Sequence, residues 1–311
     1  LWESRTAIFR YLDYISRARN QKGLVEQGLG DWCHPGRKED LYKCPAVVTN
    51  TIMCMDISKK AVKIFDVLGQ NLQKEFAQKL YCEFREAIRR YLVDFSTMTV
   101  LGDCQTAQAM SIFYGVFEPG EQAAAFDVLL SQIERENNHM DTGVLGARVL
   151  FHVLSAFGEA DLAYTMITQK TFPSYGNWIA RGATALWEDF HSEDCPRINS
   201  KNHHFWGDIS AWFIKEVAGI HLNPYEEDCN ELHIKPNFVG QLDHAEAYHI
   251  APAGKISVSW KREGKEVVLS VSVPETMTGR IILPSGWTFE DGKNEKLLEN
   301  GKFTVNNRDF I

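Results

Sequence analysis

A carboxylate that directly follows an indole is the feature of this chain with the clearest chemical potential. Glu188 follows Trp187 at the end of residues 182–188, which read GATALWE, and Trp178 lies upstream. Aromatic rings stack on the apolar faces of sugars, and a carboxylate can bind hydroxyls or take a proton from an attacking water. The same residues also fit two core tryptophans beside a surface acid at a helix end, so the surrounding sequence must decide.

A second acid–indole pair occurs near the start of the chain. Asp31 and Trp32 follow Gly28 and Gly30. Two glycines allow a tight loop that can present both side chains in a cleft. A turn in which Asp31 caps a neighbouring segment and Trp32 packs fits equally well.

A histidine in a polar loop is a further candidate. His203 lies in residues 200–207, which read SKNHHFWG. A ring nitrogen there could donate to a sugar hydroxyl or to a carboxylate, whereas the alternative is a helix-capping cluster built on Ser200 or Asn202. Adjacent histidines diverge on a regular element, and no acid or cysteine sits at ligand spacing, so no metal site is predicted.

Other motifs are weaker or missing. Thr142 precedes an apolar helical pattern and is a plausible N-cap. The sequence has neither a glycine-rich phosphate loop nor a GxSxG nucleophile elbow, and no cofactor is predicted.

The composition is that of an ordinary globular protein, and its charge limits the classes of partner. The 311 residues carry 33 basic and 41 acidic side chains, for a net charge of −8 and a pI near 5.7. This balance favours neither nucleic acid nor an anionic membrane as a partner, and it suits a neutral substrate. The seven cysteines are scattered without a CxxC, which predicts mostly free thiols and weakly favours a reducing compartment.

The beginning of the chain leaves its cellular location open. No apolar run reaches the roughly 18–20 residues that cross a bilayer, and no signal peptide is visible. Leu1-Trp2-Glu3 reads as the inside of a helix, so we expect a fragment of a longer protein. Cytoplasmic, periplasmic and secreted locations, and the oligomeric state, stay undecided.

Residues 1–222 are predicted to be helical. Phe76, Leu80, Phe84, Ile88 and Leu92 recur at helical spacing. Similar patterns predict further helices near 104–117, 120–136, 144–157, 159–169, 179–190 and 204–218. About nine helices with no strand pattern between them favour a helical barrel or solenoid over a simple bundle.

Residues 223–311 are predicted to form an antiparallel β domain. Residues 255–260 and 266–273 alternate with period two and flank a connection that contains Gly264. Together with strand patterns at 280–284 and 301–305, this predicts a β-sandwich after a boundary near residue 222.

The order of these motifs resembles the bacterial α-L-rhamnosidases of glycoside hydrolase family 78. The resemblance runs over nearly the whole chain and rests on GLGDW at 28–32, DTG at 141–143, PSYG at 173–176, GATALWE at 182–188, the pair Asn202-His203, and IKP at 234–236. No single motif is strong, but their order is specific.

The resemblance implies a fold, a reaction and a set of roles. The fold is an (α/α)6 barrel followed by a C-terminal antiparallel β-sandwich, and the reaction is hydrolysis of terminal α-L-rhamnose with inversion. Such chemistry needs two carboxyl groups roughly 6.5–9.5 Å apart. Glu188 corresponds to the general base. Asp31 and Trp32 correspond to the wall of the substrate cleft, and His203 corresponds to a residue that holds the sugar or orients the base. Trp178 and Trp187 are aromatic candidates for substrate binding, and the partner is a rhamnose-containing glycan or glycoside.

One expected motif is missing. The family's general acid lies in an upstream acidic motif that this sequence lacks, and a complete barrel has twelve helices. The barrel is therefore expected to be incomplete on its N-terminal side, and the chain alone is expected to be inactive or nearly so. The alternatives are a non-catalytic carbohydrate-binding relative and another (α/α)6 enzyme, such as a polysaccharide lyase or an unsaturated uronyl hydrolase, for which a basic cleft would be expected.

Overall fold

The computed structural model describes residues 1–35, 43–191, 199–222 and 230–308. The backbone forms two compact units. One comprises Leu1–Val153 and Met166–Trp206, and the other comprises Leu154–Thr165 and Gly207–Ile311. The domain boundary proposed near residue 222 stays a prediction, because residues 223–229, which follow it, are outside the described part of the chain.

Helices dominate the chain up to residue 217. They are α1 (Arg5–Arg17), α2 (Ala46–Val67), α3 (Asn71–Tyr91), α4 (Gln105–Phe113), α5 (Gln122–Arg135), α6 (Val144–Ala156), α7 (Ala160–Thr168), α8 (Tyr175–Ala180) and α9 (Asp208–Trp212), and a π-helical turn, Phe213–Val217, follows.

Consecutive helices pair as hairpins with one deeply buried and one half-exposed member. α2 packs against α3, and α4 packs against α5. Residues 105–112 of α4 are all buried, whereas α3 buries only the stripe that contains Leu80, Phe84 and Ile88. A helix that is buried all round lies inside an assembly, and a helix with one apolar stripe lies on its outside. The helical unit therefore has an inner and an outer layer.

The prediction of a helix over 179–190 is wrong. α8 starts earlier, where the Ser174 hydroxyl accepts a hydrogen bond from the amide of Asn177 at 2.9 Å. It ends at Ala180 because Gly182 adopts a left-handed conformation (φ 84°), and the amide of Ala183 returns to the carbonyl of Trp178. This pattern is a Schellman C-cap, which stops a helix. Glu188 consequently lies beyond the helix, in an irregular segment.

A short hairpin interrupts the helical region, although the sequence pattern predicts no strand there. β1 (Val93–Asp94) pairs antiparallel with β2 (Thr99–Val100). The buried side-chain amide of Gln108 holds this hairpin in place. Gln108 Oε1 accepts a hydrogen bond from the amide of Val100, and Gln108 Nε2 donates one to the carbonyl of Met98. Two strands of two residues each are too short to leave an alternating pattern in the sequence.

The second unit carries two sheets. Their strands are β3 (Ile220–Leu222), β4 (Glu231–Ile234), β5 (His244–Ala251), β6 (Gly254–Glu263), β7 (Glu266–Ser272), β8 (Thr278–Ile282), β9 (Trp287–Phe289), β10 (Glu295–Leu297) and β11 (Gly301–Asn307). The four-stranded sheet has the order β10-β8-β4-β3, and the five-stranded sheet has the order β5-β6-β7-β11-β9. Pairing is antiparallel except between β4 and β8, which are parallel.

The strands of the five-stranded sheet alternate as their sequence predicts. Ile256, Val258 and Trp260 of β6 are buried, and the serines between them face the other side. The indole N–H of Trp260 donates to the carbonyl of Val217 at 2.9 Å, which satisfies its one donor inside the core.

Candidate active site

Glu188 is held by two hydrogen bonds to one residue. Its amide donates to the carbonyl of Ser200 at 2.9 Å, and its carboxylate Oε2 accepts from the amide of Ser200 at 3.1 Å. Glu188 is half-buried. Among the described residues no hydrogen bond reaches Oε1, so one carboxylate oxygen is anchored and the other can accept a proton.

His203 lies on the segment that pairs with Glu188. Its amide donates to the carbonyl of Leu186 at 2.8 Å, and its ring Nδ1 accepts from the amide of Phe205 at 3.2 Å. Because Nδ1 accepts, a neutral His203 carries its proton on Nε2. The contacts thus prepare this half-buried side chain to donate a hydrogen bond.

A cluster of aromatic rings underlies these two segments. Trp178 stacks on Phe190 with centroids 4.0 Å apart, and it meets Trp187 and Trp206 at 6.0 and 6.4 Å. The indole N–H of Trp206 donates to the carbonyl of Glu188 at 2.9 Å. The cluster therefore supports the backbone that carries the candidate base.

Trp178 and Trp187 lie inside this cluster. Their exposed fractions are 2% and 6%. Arg181 and Lys201 lie over the ring of Trp187, with their cationic groups 5.3 and 5.1 Å from its centroid. These contacts give both indoles a packing role, and their contact with substrate stays a prediction.

Asp31 lies at the amino end of α6. Its Oδ2 accepts from the amide of Gly143 at 2.7 Å, and its Oδ1 accepts from Leu145 and Gly146 at 3.0 and 3.1 Å. The Thr106 hydroxyl also donates to Oδ2. A carboxylate at this end of a helix satisfies free amides and favours the helix dipole.

The burial of Asp31 affects its acidity. The side chain is 1% exposed, and burial raises its pKa while the hydroxyl of Thr106 and the amides of α6 oppose that rise. With four donors already bound, its evident role is to join the loop to α6. A direct contact between Asp31 and substrate stays a prediction.

Asp31 takes the capping role that the sequence pattern assigns to Thr142. The Thr142 hydroxyl is buried and has no hydrogen-bond partner among the described residues. The cap comes instead from a residue more than a hundred positions earlier in the chain, which no local pattern could reveal.

Trp32 lies beside the same helix end and is half-buried. Its carbonyl accepts from the amide of Val144 at 2.8 Å. A Cβ on Gly143 would lie 2.4 Å from that carbonyl oxygen, so only glycine lets the loop approach this closely. The indole of Trp32 as a substrate contact also stays a prediction.

An ion pair between an exposed lysine and two acids adjoins this group. Lys43 contacts the carboxylate of Asp141 and lies 2.6 Å from that of Glu136. Burial raises the pKa of Asp141, and the contact with Lys43 opposes this rise.

The candidate residues form two groups. One group lies in residues 175–191 and 199–206 and consists of Trp178, Trp187, Glu188 and His203. The other lies at the amino end of α6 and consists of Asp31 and Trp32. Sequence reasoning missed the parts that Ser200 and Trp206 play in fixing Glu188. Both lie in the SKNHHFWG stretch, yet backbone pairing between two loops has no periodic signature.

The described residues contain no cluster of three or more metal-ligating side chains. No helix in the described ranges combines the length and apolar character that a membrane crossing requires. Of the seven cysteines, the five described ones are free thiols, and Cys195 and Cys229 lie outside the described residues.

Two domain families match the sequence. Residues 2–217 match the bacterial alpha-L-rhamnosidase 6 hairpin glycosidase domain, and residues 222–297 match the bacterial alpha-L-rhamnosidase C-terminal domain.

Curated relatives agree with these matches. An alpha-L-rhamnosidase of Streptomyces avermitilis is 28% identical over 293 residues, which cover 92% of this chain and 27% of that protein. One from Formosa agariphila is 28% identical over 260 residues, which cover 79% of this chain and 28% of that protein. The chain thus spans less than a third of the length of these relatives.

Solved structures show the same fold. The alpha-L-rhamnosidase of Dictyoglumus thermophilum superimposes with a TM-score of 0.87 at 23% identity, covering 98% of this chain and 37% of that one. The Streptomyces avermitilis alpha-L-rhamnosidase complexed with L-rhamnose superimposes with a TM-score of 0.84 at 26% identity, covering 97% and 30%. The predicted fold class is confirmed, and the chain belongs to the bacterial α-L-rhamnosidase family, with its six-hairpin glycosidase domain and its C-terminal domain.

Proposed function

We propose that this chain is part of a glycoside hydrolase that removes terminal α-L-rhamnose with inversion, and that Glu188 is its general base. The observation that carries the proposal is the state of the Glu188 carboxylate. One oxygen is fixed by the amide of Ser200, and the other is unengaged among the described residues. A general base needs both a fixed orientation and a free lone pair.

The proposed step at Glu188 is proton transfer. The free oxygen accepts a proton from a water that attacks the anomeric carbon on the face opposite the leaving oxygen, and the C–O bond to the leaving group breaks. His203 lies on the paired segment and offers its Nε2–H to a sugar hydroxyl or to the attacking water. The aromatic cluster keeps both segments in place.

The leaving oxygen needs a proton from a second carboxyl group. We propose that this acid lies outside residues 1–311, in the larger part of the protein that the relatives possess. General acid–base groups contribute about 10²–10⁴-fold each, so the 311-residue chain alone should be inactive or nearly so. Robust turnover by the isolated chain would contradict this point.

The test compares Glu188→Gln with Asp189→Asn in the longer protein, with an aryl α-L-rhamnoside as substrate. Gln keeps an acceptor for Ser200 but cannot take a proton, so kcat should fall by about 10²–10⁴-fold while the melting temperature stays close to that of wild type. Asp189 is the adjacent acid, and its Oδ2 contacts His191 at 3.3 Å, so Asp189→Asn controls for loss of a nearby charge.

The stereochemical part is tested separately. Proton NMR of the first turnover should show rhamnose of inverted anomeric configuration. Retention would exclude the role proposed for Glu188. A wild-type rate in Glu188→Gln would do the same, and binding without turnover in the longer protein would favour a non-catalytic carbohydrate-binding relative.

A further inference from the structure

The solvent face of the five-stranded sheet contains a trough floored by serine. Ser257 pairs with Ser272 across β6 and β7, and Ser259 pairs with Ser270. Paired residues of antiparallel strands share a face, so the four hydroxyls form a two-by-two patch. The trough above them has a volume of about 330 Å³.

Longer side chains on the neighbouring strands form its rims. Glu246 of β5 pairs with Ser259, and Lys302 of β11 pairs with Ser270. Tyr248 pairs with Ser257 and is 62% exposed. Small residues on two central strands and long residues on both flanks produce a depression in an otherwise ordinary sheet. The volume falls at the lower end of the roughly 300–1,000 Å³ typical of small-molecule sites.

The serines are not explained by folding. Exposed strand positions favour threonine, β-branched and aromatic residues. Among the described residues no hydrogen bond engages any of the four hydroxyls, so they do not stabilise the sheet through side-chain contacts. Residues that strands do not favour and that make no stabilising side-chain contacts are typical of a functional surface.

The polar groups of the trough identify the class of ligand. Each hydroxyl both donates and accepts, the Glu246 carboxylate accepts, and the Lys302 ammonium donates. One acid and one base on opposite rims leave the trough without net charge. The Glu246 carboxylate would repel a polyanion, and the Lys302 ammonium would repel a polycation. A neutral polyhydroxylated chain can form hydrogen bonds with all of these groups.

We propose that this serine trough, formed by Glu246, Ser257, Ser259, Ser270, Ser272 and Lys302, binds a neutral oligosaccharide. The site lies in the C-terminal domain and is independent of the base proposed at Glu188. The rims on β5 and β11 are three strand intervals apart. At the usual strand spacing this is about 14 Å, which accommodates two to three sugar rings.

The test uses the 311-residue chain, labelled with ¹⁵N, titrated separately with rhamnose, xylose and glucose hexasaccharides. At least one should shift amide resonances of β5, β6, β7 and β11 with millimolar or tighter affinity. Ser259→Phe fills the trough and should weaken binding at least tenfold, and Glu246→Ala should weaken it severalfold. Thr304→Phe, on the same face of β11, places the same ring outside the trough lining and should bind as wild type does.

Three results would overturn the proposal. The first is an absence of shifts in these strands with all three hexasaccharides. The second is binding that survives Ser259→Phe in a variant whose spectrum shows a folded sheet. The third is equal or tighter binding of hexagalacturonate that weakens with salt, which would indicate a charge-driven surface. Glu188→Gln should leave the trough titration unchanged, so failure here and failure of the proposed base are distinguishable.

Discussion

Glu188 and Ser200 exchange two hydrogen bonds, one between backbone groups and one between the Ser200 amide and the Glu188 carboxylate. The candidate base therefore helps to hold the loop that carries His203. Glu188 and His203, the two groups proposed for the reaction, therefore lie on two hydrogen-bonded segments. The indole N–H of Trp206 also donates to the carbonyl of Glu188.

His203→Ala in the longer protein should lower kcat/KM for an aryl α-L-rhamnoside by up to about tenfold, because one hydrogen bond to a neutral partner contributes about 0.5–1.5 kcal/mol. His204 is exposed and stacks on His203 with centroids 5.1 Å apart, so His204→Ala is the matched control and should stay within about twofold. Equal losses in both variants would assign the effect to the loop rather than to the His203 ring.

Trp178→Ala should lower the free energy of unfolding by about 3–5 kcal/mol, because it removes a buried indole from the aromatic cluster. Ile179 is adjacent and 72% exposed, so Ile179→Ala should change stability by less than about 0.5 kcal/mol. Urea unfolding followed by tryptophan fluorescence measures both. In the longer protein, a raised KM with unchanged stability for Trp178→Phe would instead show that Trp178 contacts substrate.

Gly143→Ala should destabilise the chain by about 1–3 kcal/mol, since the new Cβ would lie 2.4 Å from the Trp32 carbonyl oxygen and 2.5 Å from that of Asp31. Gly120→Ala is the matched control, because nothing lies within 4 Å of the position that its new methyl group would take and its φ is not left-handed. Thermal unfolding should separate the two variants. Equal melting temperatures would show that the Asp31–Trp32 loop can move away from α6 at little cost.

Glu121 should stabilise the chain in a pH-dependent manner. The guanidinium of Arg89 binds both carboxylate oxygens, at 2.7 and 2.9 Å, and lowers the pKa of Glu121 to about 2 from an ordinary value of 4.5. A lowered folded-state pKa gives stability that is complete above about 4.5 and is lost as the pH falls toward 2. Glu121→Gln should cost about 1–2 kcal/mol at about pH 7 and less at about pH 3.

The control for this pair is Glu118→Gln. Glu118 is 53% exposed and lies 2.8 Å from Arg85, so its loss should cost about 0–1 kcal/mol. Urea unfolding at the two pH values measures the difference. A cost for Glu121→Gln that does not change with pH would mean that the Arg89 contact is not electrostatic.

Local periodicity predicted the regular elements well. The apolar spacing from Phe76 to Ile88 lies within α3, and the alternation at 255–260 and 266–273 corresponds to β6 and β7. The 179–190 helix failed because the left-handed Gly182 outweighed the helical pattern around it. The signal was present, since serine is a favoured N-cap and glycine is the usual residue that ends a helix.

Contacts distant in sequence could not be predicted from one chain. The bond from the Gly143 amide to Asp31 joins residues that are 112 positions apart, and it decided that Asp31 caps α6. Likewise, the GATALWE motif made Glu188 a candidate base through family resemblance. The hydrogen bonds that hold Glu188 come from Ser200 and Trp206, which lie on another loop. Propensity describes single segments, whereas these contacts depend on how segments meet.

The carboxylate of Glu188 has two roles, a proposed one as proton acceptor and an observed one as the hydrogen-bond acceptor for the Ser200 amide. A shorter or apolar side chain would remove both at once. The rate lost in such a variant would therefore overstate the contribution of the proposed proton transfer. Glutamine is the replacement that separates the two effects, because its side-chain oxygen can still hold the Ser200 amide.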